Sequence, residues 1–297
     1  MKISFGSWAF SFGPYARRPL PLDEAARLVA AAGYDGIELG GFPPHVTLEQ
    51  YASSASIREL RRMLSGLGLG VSGYAPDFTM VNPLVEENRN RYLDRIQRSV
   101  ELCAATGGPA LRVDPIAAPG SVADSDYEEC AGRLAALWHD AAELASREGV
   151  RLVWEFEPGF VFNKPSEVVN IFEKVGHPNF QILFDTCHAY LCGVVGARQR
   201  GTIERLAGGV PEFLEMLSGR IGHIHIVNTD GTLYGDETST HSPFEEGVID
   251  FPKLAPQLLS VPGIEWWCVD LSFRADSERL LEPSLEYVKK LTAAVRA

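Results

Sequence analysis

Four predicted β-strands in the second half of the chain end in residues that can bind a metal ion. These residues are Glu155 after "RLVW", Asp185 after "QILF", His225 within "HIHIV" and Asp270 within "WWCVDL". Taken singly, an Asp after a strand is most often a helix N-cap or a turn former. Alternate residues of a strand point the same way, so all four side chains would face inward if the strands formed a barrel. Together they predict one shared site at the carboxyl ends of the strands.

The charges of this set indicate what it binds. Three carboxylates that converge in a partly dry cavity repel and raise one another's pKa, so a cation is needed among them. No Lys or Arg occupies the last inward position of these four strands, and we therefore expect one divalent metal ion. Three carboxylates and one imidazole suit Mn²⁺ first, then Mg²⁺ or Co²⁺, and Zn²⁺ is a further option.

The rest of the chain supplies the elements that must position this site. Eight strand candidates alternate with longer amphipathic stretches. The strand candidates lie at 2–6, 36–40, 70–74, 110–114, 151–155, 181–185, 223–227 and 266–271. Helical patterns between them, such as 22–33, 90–107 and 127–149, each end at a glycine. Eight such units predict an α/β fold, a (β/α)8 TIM barrel with its active site at the C-terminal ends of the strands.

The domain organisation follows from the same pattern. No linker or low-complexity segment interrupts it, so we expect a single domain over residues 1–297. A doubly wound open sheet is the alternative fold, but the turn "GSWAFSFG" after the first strand lacks the dinucleotide-binding glycine pattern. The longest predicted loop, 228–247, is rich in polar residues, and loops of this length are usually functional.

Composition excludes several classes of partner. The chain has 27 Lys and Arg against 39 Asp and Glu, a formal net charge of −12 that disfavours nucleic acid. No apolar run approaches the roughly 18 residues that cross a bilayer, and "MKISFGSWAF" reads as a first strand rather than a signal peptide. The 5 cysteines form no CxxC pair, which argues against a disulfide scaffold and a cysteine zinc site. We therefore expect a cytoplasmic protein without nucleic-acid or membrane partners.

Several motifs carry a resemblance to a known family. They are "GVRLVWEFEPG" (149–159), "LFDTCHAY" (183–190), "GHIHIVN" (222–228), "EEGVIDF" (245–251) and "WWCVDL" (266–271), with "AGYDGIEL" (32–39) in the first half. In this order they resemble the xylose isomerase-like TIM-barrel superfamily, and within it the sugar phosphate isomerase and epimerase branch.

The resemblance implies a ligand set for a single divalent ion. Carried onto this sequence, the ligands fall on Glu155, Asp185, His225 and position 270. Glu155 is preferred to Glu157 because its distance from Gly149 is the one usual in the family. Position 270 is Asp where the family usually has Glu, so its carboxylate is one methylene shorter. This departure from the family pattern bears on both its contact with the metal and its reach to a substrate carbon.

The resemblance also implies that His188, three residues after Asp185, contacts substrate oxygens. His223 is expected to be buried beside the site, and Trp8 and Phe10 form either an apolar wall for a sugar or ordinary core. Arg112 either binds substrate or faces a helix. The full set of substrate-binding candidates is His188, Glu157, Arg274, Arg112, Trp8 and His241.

The implied function is a metal-dependent isomerase or epimerase of a keto-sugar or keto-polyol. The ion would chelate the carbonyl and adjacent hydroxyl and stabilise an enediolate, while Glu155 and Asp270 transfer the proton as the catalytic pair. Family members commonly associate through their outer helices, so a homo-oligomer is a possible state.

Three alternatives to this function remain. A lyase could use the same enediolate to expel water from an inosose or dehydroshikimate-like substrate, or an aglycone from a 3-keto-glycoside. An apurinic endonuclease shares the barrel, but the second and third predicted strands here end without the histidines that it uses. The third alternative is a non-catalytic barrel subunit, because position 270 is Asp where the family usually has Glu.

Overall fold

The computed structural model describes residues 1–296; residue 297, the last position of the predicted single domain, lies outside the described residues. The barrel strands, numbered β1 to β8 along the chain, are Lys2–Gly6, Gly36–Gly40, Gly70–Ala75, Ala110–Val113, Arg151–Glu155, Phe180–Asp185, Ile221–Ile226 and Trp266–Val269. The α-helices, α1 to α9, are Leu22–Ala31, Ser54–Gly66, Arg89–Thr106, Tyr127–Arg147, Pro165–Val175, Thr186–Tyr190, Gly209–Met216, Phe251–Ser260 and Ser277–Arg296.

The strands form a closed parallel barrel in chain order. Strand β8 returns to pair with β1, with Ser4 opposite Cys268, and this closure confirms the predicted (β/α)8 TIM barrel. The strand candidates agree with the observed bounds to within two residues. Strand β8 ends at Val269, before the predicted end at 271, because the Ser272 N–H donates to Asp270 Oδ1 and turns the chain.

The helices surround the barrel because each carries an apolar face at helical spacing. In α4, Leu134, Trp138, Ala141 and Ala145 recur every three or four residues and are fully buried. Trp138 packs on Trp154 of β5 with ring centroids 5.2 Å apart. Trp154 therefore faces the helices, as the strand alternation predicted.

The inside of the barrel is filled below the charged strand ends. Val153 packs with Ala110 and Leu183 as a small buried apolar cluster. This packing is typical of TIM barrels, whose interior is a layered core rather than a channel. It closes the bottom of the site, so a ligand can reach the strand-end side chains only from the C-terminal face.

The segments after the strands form the walls of that face. A 3₁₀ turn at Ser7–Phe10 follows β1, and the short helix α6 follows β6. The predicted loop at 228–247 contains an antiparallel hairpin, Leu233–Tyr234 with Thr238–Ser239, which we call the β7 hairpin. Asn228 anchors the loop, because its side-chain amide donates to the carbonyls of Phe244 and Ile249.

Two further features bear on the sequence expectations. No helix within residues 1–296 is both long and apolar enough to cross a membrane. Cys103, Cys130, Cys187, Cys192 and Cys268 are buried free thiols in the part of the chain that the structure describes.

Candidate metal centre and active site

The ends of β5, β6 and β7 bring three potential ligand atoms together. Glu155 Oε1, Asp185 Oδ2 and His225 Nδ1 lie within 4.8 Å of one another. His225 Nδ1 is 2.9 Å from the Glu155 atom and 3.9 Å from the Asp185 atom. Ligands about 2.1 Å from one ion lie about 3 to 4 Å apart, so this spacing fits one divalent cation.

The hydrogen bonding of these atoms supports the same interpretation. All three are buried, and none has a hydrogen-bond partner within residues 1–296. Buried polar atoms are nearly always paired, because an unpaired one has lost its water without compensation. The close contact among the three is the 2.9 Å approach of His225 Nδ1 to Glu155 Oε1, and a cation placed between the atoms would satisfy all of them.

Asp270 borders this group. Its Oδ2 is 3.9 Å from His225 Nδ1, although it is not among the three mutually close atoms. Its other oxygen, Oδ1, accepts hydrogen bonds from the Trp8 indole at 3.0 Å, the Ser272 hydroxyl at 2.6 Å and the Ser272 N–H. The shorter side chain is therefore fixed by one oxygen, and the other faces the site.

The position of Asp185 suits both roles that the sequence suggests, a helix N-cap and a metal ligand. Its Oδ1 caps α6 by accepting the N–H groups of Cys187 and His188. Its Oδ2 is the unpaired oxygen of the three-atom group. The cap and the candidate ligand are thus different atoms of one carboxylate.

Glu38, in the middle of β2, is a site residue that the sequence reasoning missed. Its carboxylate is 1% exposed, lies 3.2 Å from His225 Nε2 and receives a 2.6 Å hydrogen bond from His223 Nε2. His223 is buried beside the site, where it was expected. Burial raises the pKa of Glu38, but the two histidines outweigh burial and hold that pKa well below its usual range. The motif "GIELG" could have revealed Glu38, since a charged residue in a fully buried strand needs a partner.

Arg112 takes neither of its two alternatives in simple form, since its guanidinium is paired with carboxylates of the site. It lies on β4, but its side chain enters the barrel, with Nη1 2.8 Å from Glu155 Oε2 and Nη2 2.9 Å from Asp114 Oδ2. It therefore does not face a helix. No Lys or Arg occupies the last inward position of β5 to β8, but the inference that only a metal ion supplies positive charge there needs correction, because the Arg112 side chain reaches Glu155 from a lower layer of the neighbouring strand β4.

Even with Arg112, the centre holds more negative than positive charge. Glu38, Asp114, Glu155, Asp185 and Asp270 are all buried around it. Burial raises the pKa of Glu155, yet Arg112 and His225 outweigh that effect and lower it to about 2. Burial lowers the pKa of His225, but Glu38 and Glu155 raise it well above its usual value. A field that attracts a proton to this imidazole also attracts a metal cation.

His188 and Glu157 lie beside the three-atom group and contact the β7 hairpin. The His188 ring nitrogen Nδ1 is 2.8 Å from the Ser239 hydroxyl, and the Glu157 carboxylate accepts from the Thr238 hydroxyl. Burial raises the pKa of Glu157, and its charge interactions do not reverse that shift. Both residues line the side of the site on which the hairpin lies.

The remaining sequence candidates have different positions. Trp8 borders the site, with its ring centroid 5.5 Å from that of His225. His241 Nδ1 is 3.3 Å from Asp270 Oδ1, and its Nε2 is buried without a partner in residues 1–296. Arg274 is paired with Asp276 and donates to the carbonyl of His241. Phe10 packs on Phe5 in the core, so it forms no wall of the site.

The chain was compared with known proteins by sequence and by structure. Fructoselysine 3-epimerase of Escherichia coli O157:H7 is 23% identical over 261 residues, which cover 84% of each chain. A D-tagatose 3-epimerase-like protein superposes with a TM-score of 0.74 at 19% identity, covering 100% of this chain and 98% of the other. The IOLI protein, crystallised with a zinc atom, superposes with a TM-score of 0.71 at 20% identity, covering 99% and 98%.

The family assignment depends on the sequence of the barrel. A family model described as xylose isomerase-like TIM barrel matches residues 26–291, which include seven of the eight barrel strands, β2 to β8. This match covers well over half of the chain. The chain therefore belongs to the xylose isomerase-like TIM-barrel family.

Proposed function

We propose that this protein is a divalent-metal-dependent epimerase or isomerase of a small keto-sugar or keto-polyol. The observation that carries the proposal is the convergence of three buried, unpaired ligand atoms from Glu155, Asp185 and His225 at the mouth of a barrel of this family. The similarity to fructoselysine 3-epimerase and to a D-tagatose 3-epimerase-like protein supports this reaction class.

The donor set supports a hard or borderline cation. Glu155, Asp185, His225 and Asp270 would hold it, with Asp270 contributing through Oδ2. Carboxylate oxygens and one imidazole nitrogen, without a thiolate, suit Mn²⁺ and also Mg²⁺ or Co²⁺. Zn²⁺ is a further candidate, and a zinc atom is bound in the IOLI protein.

The proposed chemistry is the removal and return of one proton beside a ketone. When bound, the cation would polarise the carbonyl and the neighbouring hydroxyl oxygens of the sugar and acidify the C–H bond between them. Glu155 would take the proton, because Arg112 keeps its carboxylate ionised and fixes Oε2. Asp270, three strands further around the barrel, would return a proton to the opposite face of the carbon.

Hydrogen-bonding side chains around this centre would orient the sugar. His188 and His241 are buried and Glu157 is partly buried on the hairpin side of the site, and the His241 Nε2 atom lacks a partner in residues 1–296. The Trp8 ring would lie along one side of the sugar. Arg274, held by Asp276, would contribute indirectly through the His241 backbone.

Proton exchange in D₂O tests this proposal. The protein is stripped with EDTA, reloaded with Mn²⁺ and incubated with a panel of ketohexoses, and the products are followed by NMR. We expect deuterium at the carbon beside the carbonyl, together with the epimer, only in the reloaded protein. Glu155→Gln and Asp270→Asn should lower exchange by about 10²-fold or more.

A matched carboxylate control completes the test. Glu167→Gln alters a partly buried glutamate in the capping box of α5, away from the centre, and should leave exchange unchanged. Exchange that survives chelation, or that is insensitive to both active-site substitutions, would refute the proposal.

A lyase acting at the same centre is the second candidate, and the geometry of Asp270 favours it. With Oδ1 held by three hydrogen bonds and a short side chain, Asp270 has little freedom to approach a substrate carbon. Elimination needs one base, Glu155, and an acid at the leaving group rather than a second carboxylate at the same carbon. Loss of water or of an aglycone would support the lyase, whereas deuterium incorporation without net loss would support the epimerase.

A further inference from the structure

Four aromatic side chains at the C-terminal face form a continuous surface that the proposed chemistry does not use. They come from the segments after β1, β2, β7 and β8, and we call Phe12, Phe42, Tyr234 and Phe273 the aromatic rim. The Phe12 ring centroid is 4.8 Å from that of Phe42 and 6.3 Å from that of Phe273. Tyr234 stacks on Phe273 at 4.6 Å and is 40% exposed. The other three are partly buried, so the rim faces solvent rather than the core.

The rim begins beside the candidate metal centre. Phe12 packs against the small buried cluster of Trp8, Ala75 and Cys268, and the Trp8 indole donates to Asp270. The Phe273 ring centroid is 6.0 Å from that of His241, which contacts the same carboxylate. A sugar held at the strand ends would therefore have the rim along its outer end.

The backbone shows that this arrangement is specifically built. Phe273 has a φ of 64°, which is unfavourable for an aromatic residue, and such strain persists mainly at functional sites. Gly13 has a φ of 55°, and a Cβ there would come 2.7 Å from the Phe273 Cα. A glycine at 13 is thus needed for the two segments to meet.

Three guanidinium groups on this face of the barrel are already paired. Arg274 is paired with Asp276, and Arg112 is paired with Asp114 and Glu155. Arg198, beside the hairpin, donates to the carbonyl of Glu237. These three nearby guanidinium groups already have partners, whereas the aromatic rings offer flat apolar surface.

We propose, on the basis of the proposed function, that the natural substrate is a keto-sugar bearing a flat apolar substituent that stacks on the aromatic rim. The ketone end would lie at Glu155 and Asp270, and the substituent would pack against the solvent-facing parts of Phe273, Tyr234 and Phe12, which already contact one another. Aromatic stacking at ring distances of about 4.5 to 7 Å adds affinity beyond simple burial. A free ketose would leave the rim in contact with water.

Two ketoses that differ only in the substituent test this inference. D-fructose and 6-O-benzyl-D-fructose are compared for kcat/KM of deuterium exchange and, separately, for binding by calorimetry to the Mn²⁺-loaded protein. We expect the benzyl derivative to be preferred by about tenfold in both measurements. Tyr234→Ala and Phe12→Leu should each reduce that preference by roughly fivefold while changing the values for D-fructose by less than about twofold.

Tyr287→Ala is the matched control, since it removes another partly buried, stacked ring, on α9 outside the barrel, and should leave the preference intact. Equal kcat/KM and equal affinity for the two ketoses in the wild type would overturn the inference while leaving the proposed function standing. Preferential binding of the benzyl derivative without exchange on either ketose would retain the rim and overturn the proposed function. A preference that Tyr234→Ala and Phe12→Leu do not alter would also overturn the inference.

Discussion

His225 has a carboxylate on each side of its ring, and this determines which nitrogen faces the centre. Glu38 Oε1 lies 3.2 Å from Nε2, and Glu155 Oε1 lies 2.9 Å from Nδ1. An ionised carboxylate accepts hydrogen bonds and cannot donate them, so Glu38 favours a proton on Nε2. Glu155 favours a proton on Nδ1 in the same way, but a cation bound by the Glu155 and Asp185 oxygens would displace that proton, and Glu38 would then keep the remaining proton on Nε2 and leave the Nδ1 lone pair to the cation. Glu38 is thus a positioning residue for a candidate ligand.

Glu38→Gln tests this role at the residue scale. An amide can present its NH₂ group to Nε2, which favours the tautomer with the proton on Nδ1 and removes the lone pair from the centre. We expect Mn²⁺ affinity, measured by calorimetry, to fall by about 10- to 100-fold. The visible absorption of the Co²⁺-loaded protein should also change, because the geometry around the imidazole is altered.

Glu167→Gln serves as the control, because it is also a Glu-to-Gln change but lies in α5 away from the centre. Unchanged Mn²⁺ affinity and an unchanged Co²⁺ spectrum in Glu38→Gln would show that Glu38 only fills space between His223 and His225.

At the scale of elements, the junction between β6 and α6 gives Asp185 two separate tasks. Its Oδ1 satisfies the first N–H groups of the helix, and its Oδ2 faces the centre. The two tasks require different chemistry, since an N-cap needs only a hydrogen-bond acceptor whereas a divalent cation favours negative charge. The turn that begins α6 also carries His188 to the β7 hairpin.

Asp185→Asn and Asp185→Ala separate these tasks. Asn keeps an acceptor for the helix cap, whereas Ala removes it, so in the metal-free protein Asp185→Ala should be less stable than Asp185→Asn by about 1 kcal/mol. Urea unfolding in EDTA gives this difference. Both variants should lose most Mn²⁺ affinity. Equal free energies of unfolding for the two variants would argue against the capping role.

The elements also show how far sequence reasoning reaches. The eight strands and the inward direction of Glu155, Asp185 and His225 follow from local patterns with a period of two. The contact of Arg112 with Glu155 could not be predicted from that pattern, because Arg112 lies opposite Val153 in the register, below Glu155, and its reach depends on side-chain length. Glu38 was missed because its partner His225 is 187 residues away in sequence, and only closure of the barrel brings them together.

At the scale of the whole molecule, an apolar interior supports a layer of buried carboxylates. The cluster of Ala110, Val153 and Leu183 excludes water from below, which strengthens the electrostatic interactions above it. Several buried carboxylates meet Arg112 and the histidines His223, His225 and His241 in the described part of the site, and these partners hold the pKa of Glu38 and of Glu155 low, so both stay ionised in the folded protein. The chain as a whole carries a net charge of −12, which also attracts cations. A bound cation would therefore stabilise the fold as well as organise the site.

This stabilisation can be measured by thermal unfolding. A ligand at 100 times its Kd that binds only the folded state adds about 2.7 kcal/mol, which for a chain of this length raises Tm by about 4 °C. We expect such a shift with Mn²⁺ in the wild type and none in an Asp185→Asn/Glu155→Gln double variant. The double variant lacks two carboxylate charges and leaves Arg112 with one carboxylate partner fewer, so its Tm without metal differs from that of the wild type. Each protein's own metal-free Tm therefore serves as the reference. If Mn²⁺ raised the Tm of both proteins equally, the cation would be binding elsewhere, and the three-atom group of Glu155, Asp185 and His225 would not be its site.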